Sequence, residues 1–337
     1  MKKYFSNVLA ILLLFGFIFG IFPQKIFAQA TKPIEFGYVT FLPRMVPTVK
    51  WLMAALSGVE EASNGQLKFK NRGGPESIAP PEQATAVQSG AVDMAYIPVD
   101  LYTPITAAPS MLIISEILSY QQRETGAYDY LVKLHEEVGL RYLFGGAESP
   151  WKLHSMVTNK RIEKPQELAG LRIPGSGAIQ YAARSLGMKP LSILHKDYYT
   201  AMERGLIDAV MTAVPTLLSL KINEVGKYLI QPSAYTSTAV IIMNLKKWES
   251  LPKELQDLMI DTLFIEGPKW NAKSVEMEKS SLKVFADSGV ETITFTGEDA
   301  EWFFEKLRVA QYDYVAQKAP VKGPKLYKML RKDALKK

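Results

Sequence analysis

The chain has 337 residues, 47% of them hydrophobic, with a formal net charge of +6, three histidines and no cysteine. The lack of cysteine excludes disulfides, thiolate zinc sites and cysteine nucleophiles, and three scattered histidines without an HExxH pattern do not suit a metal site, so we expect no metal and no cofactor. Nucleic acid is also not an expected partner, because binding it needs a concentrated basic stripe, and the only basic cluster lies in residues 321–337, which we interpret as a solvated C-terminal tail.

The first thirty residues have the features of an export signal. Lys2 and Lys3 precede an uncharged apolar run at 8–22, and Ala28-Gln29-Ala30 follows as a small-x-small cleavage site. A permanent membrane anchor is the alternative, but a spanning helix needs about 20 apolar residues. The sequence therefore predicts a signal peptide at 1–30 and a periplasmic mature chain.

The next 70 residues alternate between short strands and amphipathic helices. Residues 34–39, 67–70 and 92–97 read as strands, and residues 48–63 and 80–89 read as helices. Asn64-Gly65 and Gly90 follow the two helices, where left-handed caps are expected. This alternation, which continues to about residue 295, is typical of an α/β fold.

One stretch of this pattern occurs twice. Residues 85–93 (TAVQSGAVD) recur as residues 200–208 (TAMERGLID), and both copies predict a helix, a glycine cap and a strand that begins next to an aspartate. The repeat indicates two similar α/β units. Because ligands bind beyond the carboxyl ends of the strands in open α/β sheets, we expect Tyr96-Ile97-Pro98 and Met211-Thr212-Ala213 to form opposite walls of one cleft.

The C-terminal third is predicted to be largely helical. Residues 252–287 form a helical pattern long enough to brace both units, and Gly267-Pro268 is expected to interrupt it, because an interior proline kinks or breaks a helix. A second helix is predicted at 299–316.

Arg172 stands out between the apolar residues Leu171 and Ile173, just before a Gly-Ser-Gly turn and a predicted helix. A guanidinium group matches a carboxylate with two parallel hydrogen bonds, and a helix start favours an anion. The segment thus predicts a carboxylate socket, with a structural ion pair to an Asp or Glu as the alternative. A dinucleotide site is excluded because Gln180 replaces the third glycine of G-x-G-x-x-G.

Four segments carry a resemblance to a known family. They are Ser63-Asn64-Gly65; residues 87–95; residues 164–174, similar to x-P-x-D-[LF]-K-G-x-[KR]-[IL]-R-V-P; and residues 197–208, similar to E-[VI]-Y-x-A-L-Q-x-G-x-[VI]-D. In this order and spacing they resemble the solute-binding subunits of TRAP (tripartite ATP-independent periplasmic) transporters of the dicarboxylate-binding type.

The resemblance implies a two-domain periplasmic-binding-protein-like fold with hinge strands and a long domain-spanning helix. Domain I would comprise 31–152 and 237–277, and domain II 153–236 and 278–320. It also implies a monomeric receptor that binds a small organic acid and delivers it to the membrane permease without chemistry on the ligand.

The resemblance further implies a set of binding residues. Arg172 would pair with the ligand carboxylate, His195 stands where the family has an aromatic residue, and Thr212 where a side-chain amide is common. His154 is the nearest match to a second arginine of the family. The full predicted set is Arg172, His195, Thr212, His154, Tyr38, Tyr96 and Ile97. One cation among apolar walls predicts a monocarboxylate with an apolar body.

Two other functions stay open from the sequence. A chemosensory receptor would bind the same kind of ligand but signal to a membrane sensor. A periplasmic enzyme would use His154 or His195 as a general base and would need a nucleophile or carboxylate within hydrogen-bond reach.

Overall fold

The computed structural model describes residues 32–146, 154–175, 177–236 and 238–336, without the side chains of residues 177, 178, 234 and 336. The predicted signal peptide at 1–30 and Ser176 of the Gly-Ser-Gly turn lie outside the described residues. None of the helices in the described ranges is both long and apolar enough to cross a membrane.

The described residues contain eleven strands, which are β1 Ile34–Thr40, β2 Leu67–Gly73, β3 Met94–Pro98, β4 Leu140–Gly145, β5 His154–Thr158, β6 Arg172–Pro174, β7 Lys189–Leu191, β8 Ala209–Ala213, β9 Tyr228–Tyr235, β10 Ala239–Asn244 and β11 Glu291–Thr294.

The α-helices of the same ranges are α1 Pro47–Ala62, α2 Pro80–Ser89, α3 Ala127–Glu136, α4 Gly177–Ser185, α5 Tyr198–Glu203, α6 Val214–Ser219, α7 Ile222–Val225, α8 Leu245–Glu249, α9 Lys253–Asp287, α10 Gly297–Lys318 and α11 Lys322–Met329. Short 3-10 helices at Val99–Tyr102, Ala108–Ile114, Ser119–Gln121, Pro165–Leu168, His195–Asp197 and Lys332–Lys336 complete the described secondary structure.

The strands form two separate larger sheets. The first has the order β2-β1-β3-β10-β4, and the second has the order β11-β9-β5-β8, with β6 and β7 as a parallel pair beside it. In the first sheet β1 runs parallel to β2 and β3, whereas β10 runs antiparallel to β3 and β4. In the second, β5 is antiparallel to both β8 and β9.

The order of the described strands takes the chain between the sheets three times. It leaves the first sheet at the end of β4 and enters the second at β5, it returns from β9 to β10, and it passes to the second sheet again from β10 through α8 and α9 to β11. The α/β architecture and the two-lobed arrangement expected from the sequence are thus present. The exact domain boundaries, including those near 152 and 236, stay a prediction.

The local sequence signals of the first unit are confirmed. Helix α1 is followed by left-handed Asn64 (φ 51°) and Gly65 (φ 74°), and α2 ends at left-handed Gly90 (φ 81°). Glycine adopts this conformation without the Cβ clash that other residues suffer. Strong local stop signals were sufficient to place these helix ends.

Helix α9 is not interrupted, contrary to the sequence prediction. It runs for 35 residues with Pro268 inside it. The residues around the proline are packed: Gly267 lies against the ring of Phe144, and Trp270 stacks on Trp51 with ring centroids 5.4 Å apart. We attribute the continuity to this packing on both sides of the proline, which offsets the hydrogen bond that proline cannot make.

The basic C-terminal segment is also not a solvated tail. Residues 322–329 form α11, which packs on the 3-10 helix Ala108–Ile114, and Leu326 and Leu330 are fully buried. Lysines and arginines dominate the composition of this segment, but its leucines at spacing four lie on one face and enter the core. The sequence prediction relied on the excess of positive charge and overlooked this apolar face.

Candidate functional site

The repeated nine-residue segment forms the same corner in both sheets. In the first, Asp93 accepts the backbone N–H of Gly37 at 2.8 Å and donates its own N–H to the Gly37 carbonyl. In the second, Asp208 makes the same two contacts with Arg172, at 2.9 and 2.8 Å. A third strand adds an asparagine N–H to each aspartate carbonyl, from Asn244 and Asn159 respectively. The sequence repeat therefore corresponds to a structural repeat.

This corner fixes the position of Arg172. The residue occupies the place that Gly37 has in the first sheet, at the beginning of β6 and beside the amino end of β8. Its Nε and Nη2 atoms donate to the two carboxylate oxygens of Asp208 at 2.8 and 2.9 Å. The side-chain clamp is an addition of the second corner, because the corresponding position of the first corner is Gly37, which has no side chain.

The expectation that the Arg172 guanidinium awaits a ligand unpaired is therefore wrong. The structure shows the structural ion pair that the sequence analysis left as the alternative. The pair holds the pKa of Asp208 at about 2, chiefly through the hydrogen bonds from the guanidinium. The carboxyl end of β8 is five residues further on, about 16 Å away at 3.3 Å per residue. The assignment of Arg172 as a ligand-binding residue stays a prediction.

The length of the strand explains why the motif was misleading. The family signature has five residues between its glycine and its proline, including two basic positions, whereas this chain has only Leu171, Arg172 and Ile173 between Gly170 and Pro174. This chain therefore has one arginine where the family signature has two basic positions. The contact of Arg172 with Asp208 assigns it to the first, at the amino end of the strand.

The carboxyl edges of the two sheets lie next to each other. Tyr235 at the end of β9 is in register with His154, which is in register with Ala213 at the end of β8. Four residues later, Ala239 begins β10 in register with Pro98 at the end of β3. Four residues span at most about 14 Å. The carboxyl ends of β3 and β8 are therefore both on the side of their sheets where the chain crosses, and a ligand cleft of an α/β protein is expected there.

The second-sheet wall contains three of the predicted residues. His154 and Thr212 are partly accessible at the ends of β5 and β8, and His195 is exposed beyond the carboxyl end of β7. The His195 ring stacks on that of Tyr198 with centroids 4.8 Å apart. The fold brings these residues to one edge although they are distant in sequence.

Both histidines of this wall have a lowered pKa. Desolvation lowers the pKa of His195. Burial, followed by the nearby charge of His195, lowers the pKa of His154 to about 4. Both rings are therefore neutral at pH 7.

The predicted residues of the first sheet are core residues. Tyr38, Tyr96 and Ile97 are 5%, 1% and 0% exposed, and the Tyr96 hydroxyl is within 2.7 Å of the Thr48 Oγ1. A ligand contact needs accessible surface, which these side chains lack in this structure. Their assignment as binding residues stays a prediction.

Pro98, which the sequence placed in this wall, is partly accessible at the end of β3. Sequence reasoning missed other accessible residues of the same edge, which are Phe41 and Leu42 after β1 and Thr48 at the start of α1. The Phe41 ring packs on Tyr96 at 5.7 Å. The rule that sites follow the carboxyl ends of strands points to Phe41, because β1 ends directly before it.

The site offers little to a metal ion. Within the described ranges, no group of three or more His, Cys, Asp or Glu side chains is placed to hold one. The groups that line the two edges are imidazoles, hydroxyls and apolar side chains, which suit a small organic molecule better than a bare cation.

Two α/β lobes whose carboxyl edges meet at a crossing of the chain define a two-lobed solute-binding protein. Residues 51–318 match the family model described as bacterial extracellular solute-binding protein, family 7. The match covers most of the chain, so the chain belongs to this family.

Individual relatives agree with the family match. The chain is 24% identical over 289 residues to the 2,3-diketo-L-gulonate-binding periplasmic protein YiaO of Escherichia coli K12, covering 82% of this chain and 86% of that protein.

Solved structures share the fold. A TRAP periplasmic solute-binding protein of Desulfovibrio salexigens, with bound orotic acid, has a TM-score of 0.79 at 19% identity and covers 90% of this chain and 98% of its own. The receptor DctP7 of Bordetella pertussis, binding pyroglutamic acid, has a TM-score of 0.72 at 19% identity and covers 90% and 100%. The predicted family and fold are confirmed.

Proposed function

We propose that this protein is the extracytoplasmic receptor of a TRAP transporter and that it captures a small monocarboxylate with an apolar body. The observation that carries the proposal is the meeting of the two carboxyl edges at the crossing between β9 and β10. Family membership supports the receptor role. The named ligands of two structural neighbours, orotic acid and pyroglutamic acid, are small rings with one carboxylic acid group each.

The two walls suit such a ligand. The first-sheet edge presents Phe41, Leu42 and Pro98, which favour an apolar body. The second presents His154, His195 and Thr212, which offer hydrogen bonds to a polar head. Closing the lobes would remove water from both walls. This would bury apolar surface of the ligand and strengthen its polar contacts.

The proposal includes export and a membrane partner. The apolar run at 8–22 and the cleavage motif at 28–30 support a signal peptide and a periplasmic location. Delivery to two permease subunits follows from the receptor role. Genes for such subunits beside this one would support transport, whereas a neighbouring sensor kinase gene would support the chemosensory alternative.

The test starts with the protein purified from a periplasm, without added ligand. Mass spectrometry of the released small molecules is expected to find an organic acid. Isothermal titration then compares monocarboxylates (pyroglutamate, orotate, 2-oxoisovalerate) with dicarboxylates (malonate, succinate, malate). We expect binding within the first group, and recovery of each acid chemically unchanged after incubation.

Three results would contradict parts of this proposal. Tight binding of succinate or malate with no response to any monocarboxylate would overturn the ligand class. Turnover of a bound acid would support the enzyme alternative. A protein that neither retains nor binds any acid of the panel is not an organic acid receptor.

A further inference from the structure

The polar wall of the cleft takes no cation from the strands that form it. The strands that reach this edge, β5, β8 and β9, contain no lysine or arginine. Arg172 is paired with Asp208 at the opposite end of β8. Lys196 and Asp197, directly after His195, are exposed and of opposite charge. An anionic head in this cleft therefore needs other hydrogen-bond donors.

His154 has a ring that is ready to supply one. Its Nδ1 is buried and has no hydrogen-bond partner among the described residues, while the residue as a whole stays partly accessible. The proton of a neutral imidazole sits on one nitrogen, and the hydrogen bond made by the other nitrogen selects which. Since no described acceptor holds the proton on Nδ1, an acceptor in the cleft can draw it to Nε2.

His195 lies at the same edge as His154. Its ring is exposed and stacks on Tyr198. Strand β7, which ends four residues before His195, pairs with β6, and β6 contacts β8, whose carboxyl end is in register with His154, so the fold brings the two histidines to one edge although 41 positions separate them along the chain.

We propose that His154 and His195 together form the carboxylate subsite of this receptor and that ligand capture takes up a proton. The inference rests on the proposed function and deepens it. Each neutral ring donates one hydrogen bond to the carboxylate. The bound negative charge then favours protonation of the pair, which gives the charge-assisted contact that a guanidinium would otherwise supply.

The titratable neighbours of the pair do not obscure this effect. Burial raises the pKa of Tyr198 to about 12 and raises that of Tyr235 above its usual value, so both stay neutral. Lys196 and Asp197 flank His195 on its own segment, and β8 presents no titratable side chain from 209 to 213. Because the pKa of His154 is about 4 and that of His195 is also lowered in the free protein, a gain of charge by this pair between pH 5.5 and 7.5 has to come from the bound carboxylate.

The experiment is isothermal titration of the full mature protein with pyroglutamate, orotate and 2-oxoisovalerate at pH 5.5, 6.5 and 7.5. Each pH is measured in two buffers of different ionisation enthalpy, which gives the number of protons exchanged. Carboxylic acids of this kind ionise near pH ~3.5, so they stay anionic throughout. We expect proton uptake and an affinity that rises about 3- to 10-fold from pH 7.5 to 5.5.

Single variants locate the effect. His154→Gln and His195→Gln keep a neutral donor but cannot be protonated, so each is expected to lose about tenfold in affinity at pH 5.5 and to flatten the pH dependence. Lys196→Gln is the matched control, since it removes a neighbouring charge and should keep the pH dependence. Two histidine variants are used so that misfolding of one leaves the other informative.

The outcomes separate the inference from the function on which it rests. An acid that binds wild type with pH-independent affinity and no proton uptake, or equally well to both histidine variants, overturns the subsite while the receptor role stands. If no acid of the panel binds at any pH, both fall together.

Discussion

At the scale of single residues, Arg172 shows how partner choice decides a role. The guanidinium group could bind the carboxylate of a ligand, and it could equally bind an internal carboxylate such as that of Asp208. The hydrogen bonds to both Asp208 oxygens, at 2.8 and 2.9 Å, satisfy the fork of the guanidinium within the protein. The pair joins β6 to the start of β8 and stabilises the corner.

Replacing Arg172 by glutamine is expected to lower the thermal unfolding midpoint while changing ligand affinity less than about threefold. The pKa of Asp208 is lowered from 3.8 to about 2 in the folded state, so its stabilising contribution is complete above pH 3.8 and is lost as the pH falls toward 2. The difference in midpoint between wild type and variant should therefore be present at pH 7 and shrink below pH 4, as followed by circular dichroism.

Lys160→Gln provides the control for this prediction. Lys160 Nζ lies 3.9 Å from the same carboxylate but its side chain is 64% exposed, so its removal should change the midpoint little. If the Arg172→Gln protein has an unchanged thermal unfolding midpoint and no longer binds the ligand, Arg172 is a ligand-binding residue and the prediction is wrong.

At the scale of elements, helix α9 depends on a glycine for its close approach to the first sheet. A Cβ at Gly267 would lie 2.6 Å from Phe144 Cζ. The Phe144 ring is itself held between Trp51 and Phe264, with centroids 6.2 and 5.1 Å away, so it has little room to move.

Gly267→Ala is expected to destabilise the protein by about 1–3 kcal/mol through overpacking. Helix propensity alone predicts the reverse, since alanine is favoured over glycine by about 1 kcal/mol in a helix interior. Chemical denaturation measures the difference in the free energy of unfolding.

Gly58→Ala in α1 is the matched control. There the new Cβ would lie 3.7 Å from Thr262 Cγ2, an ordinary contact, so we expect stabilisation of up to about 1 kcal/mol. If both variants stabilise the protein, the contact at Phe144 does not limit the approach of α9.

The helix ends and the long helix α9 show which features of an element can be predicted from the sequence. The helix ends before Gly65 and Gly90 were predicted because the stop signal is local and belongs to the residue itself. The continuity of α9 past Pro268 was not, because it depends on Phe144 and Trp51, which are far away in the chain. The burial of Leu326 in the basic C-terminal segment was not predicted either, because it depends on packing against the 3-10 helix Ala108–Ile114, which is also far away in the chain.

At the scale of the whole molecule, two sheets share one set of bridging helices. Helix α9 contacts α1 and β4 on the side of the first sheet and α6 and β11 on the side of the second. Helix α10 packs on α4 and on the 3-10 helix Ala108–Ile114. These contacts couple the lobes in addition to the chain segments that pass between the two sheets.

The protein is therefore expected to unfold in a single thermal transition. The best-binding acid of the panel at 100 times its Kd should raise the free energy of unfolding by about 2.7 kcal/mol and move the whole transition. Scanning calorimetry with and without the acid measures this, and a non-binding acid at equal concentration serves as control. Two transitions, of which one alone shifts, would show that the lobes unfold independently.

The sequence by itself determined the α/β class, the helix caps, the repeated corner and the family, because periodicity, glycine positions and motif spacing are properties of neighbouring residues. It also named His154, His195 and Thr212, which the fold collects at one edge. Only the tertiary structure decided that Arg172 is bonded to Asp208, that Tyr38 and Ile97 are core residues and that α9 is continuous. The physical reason is that a partner's identity and a side chain's burial depend on elements that meet only when the chain has folded.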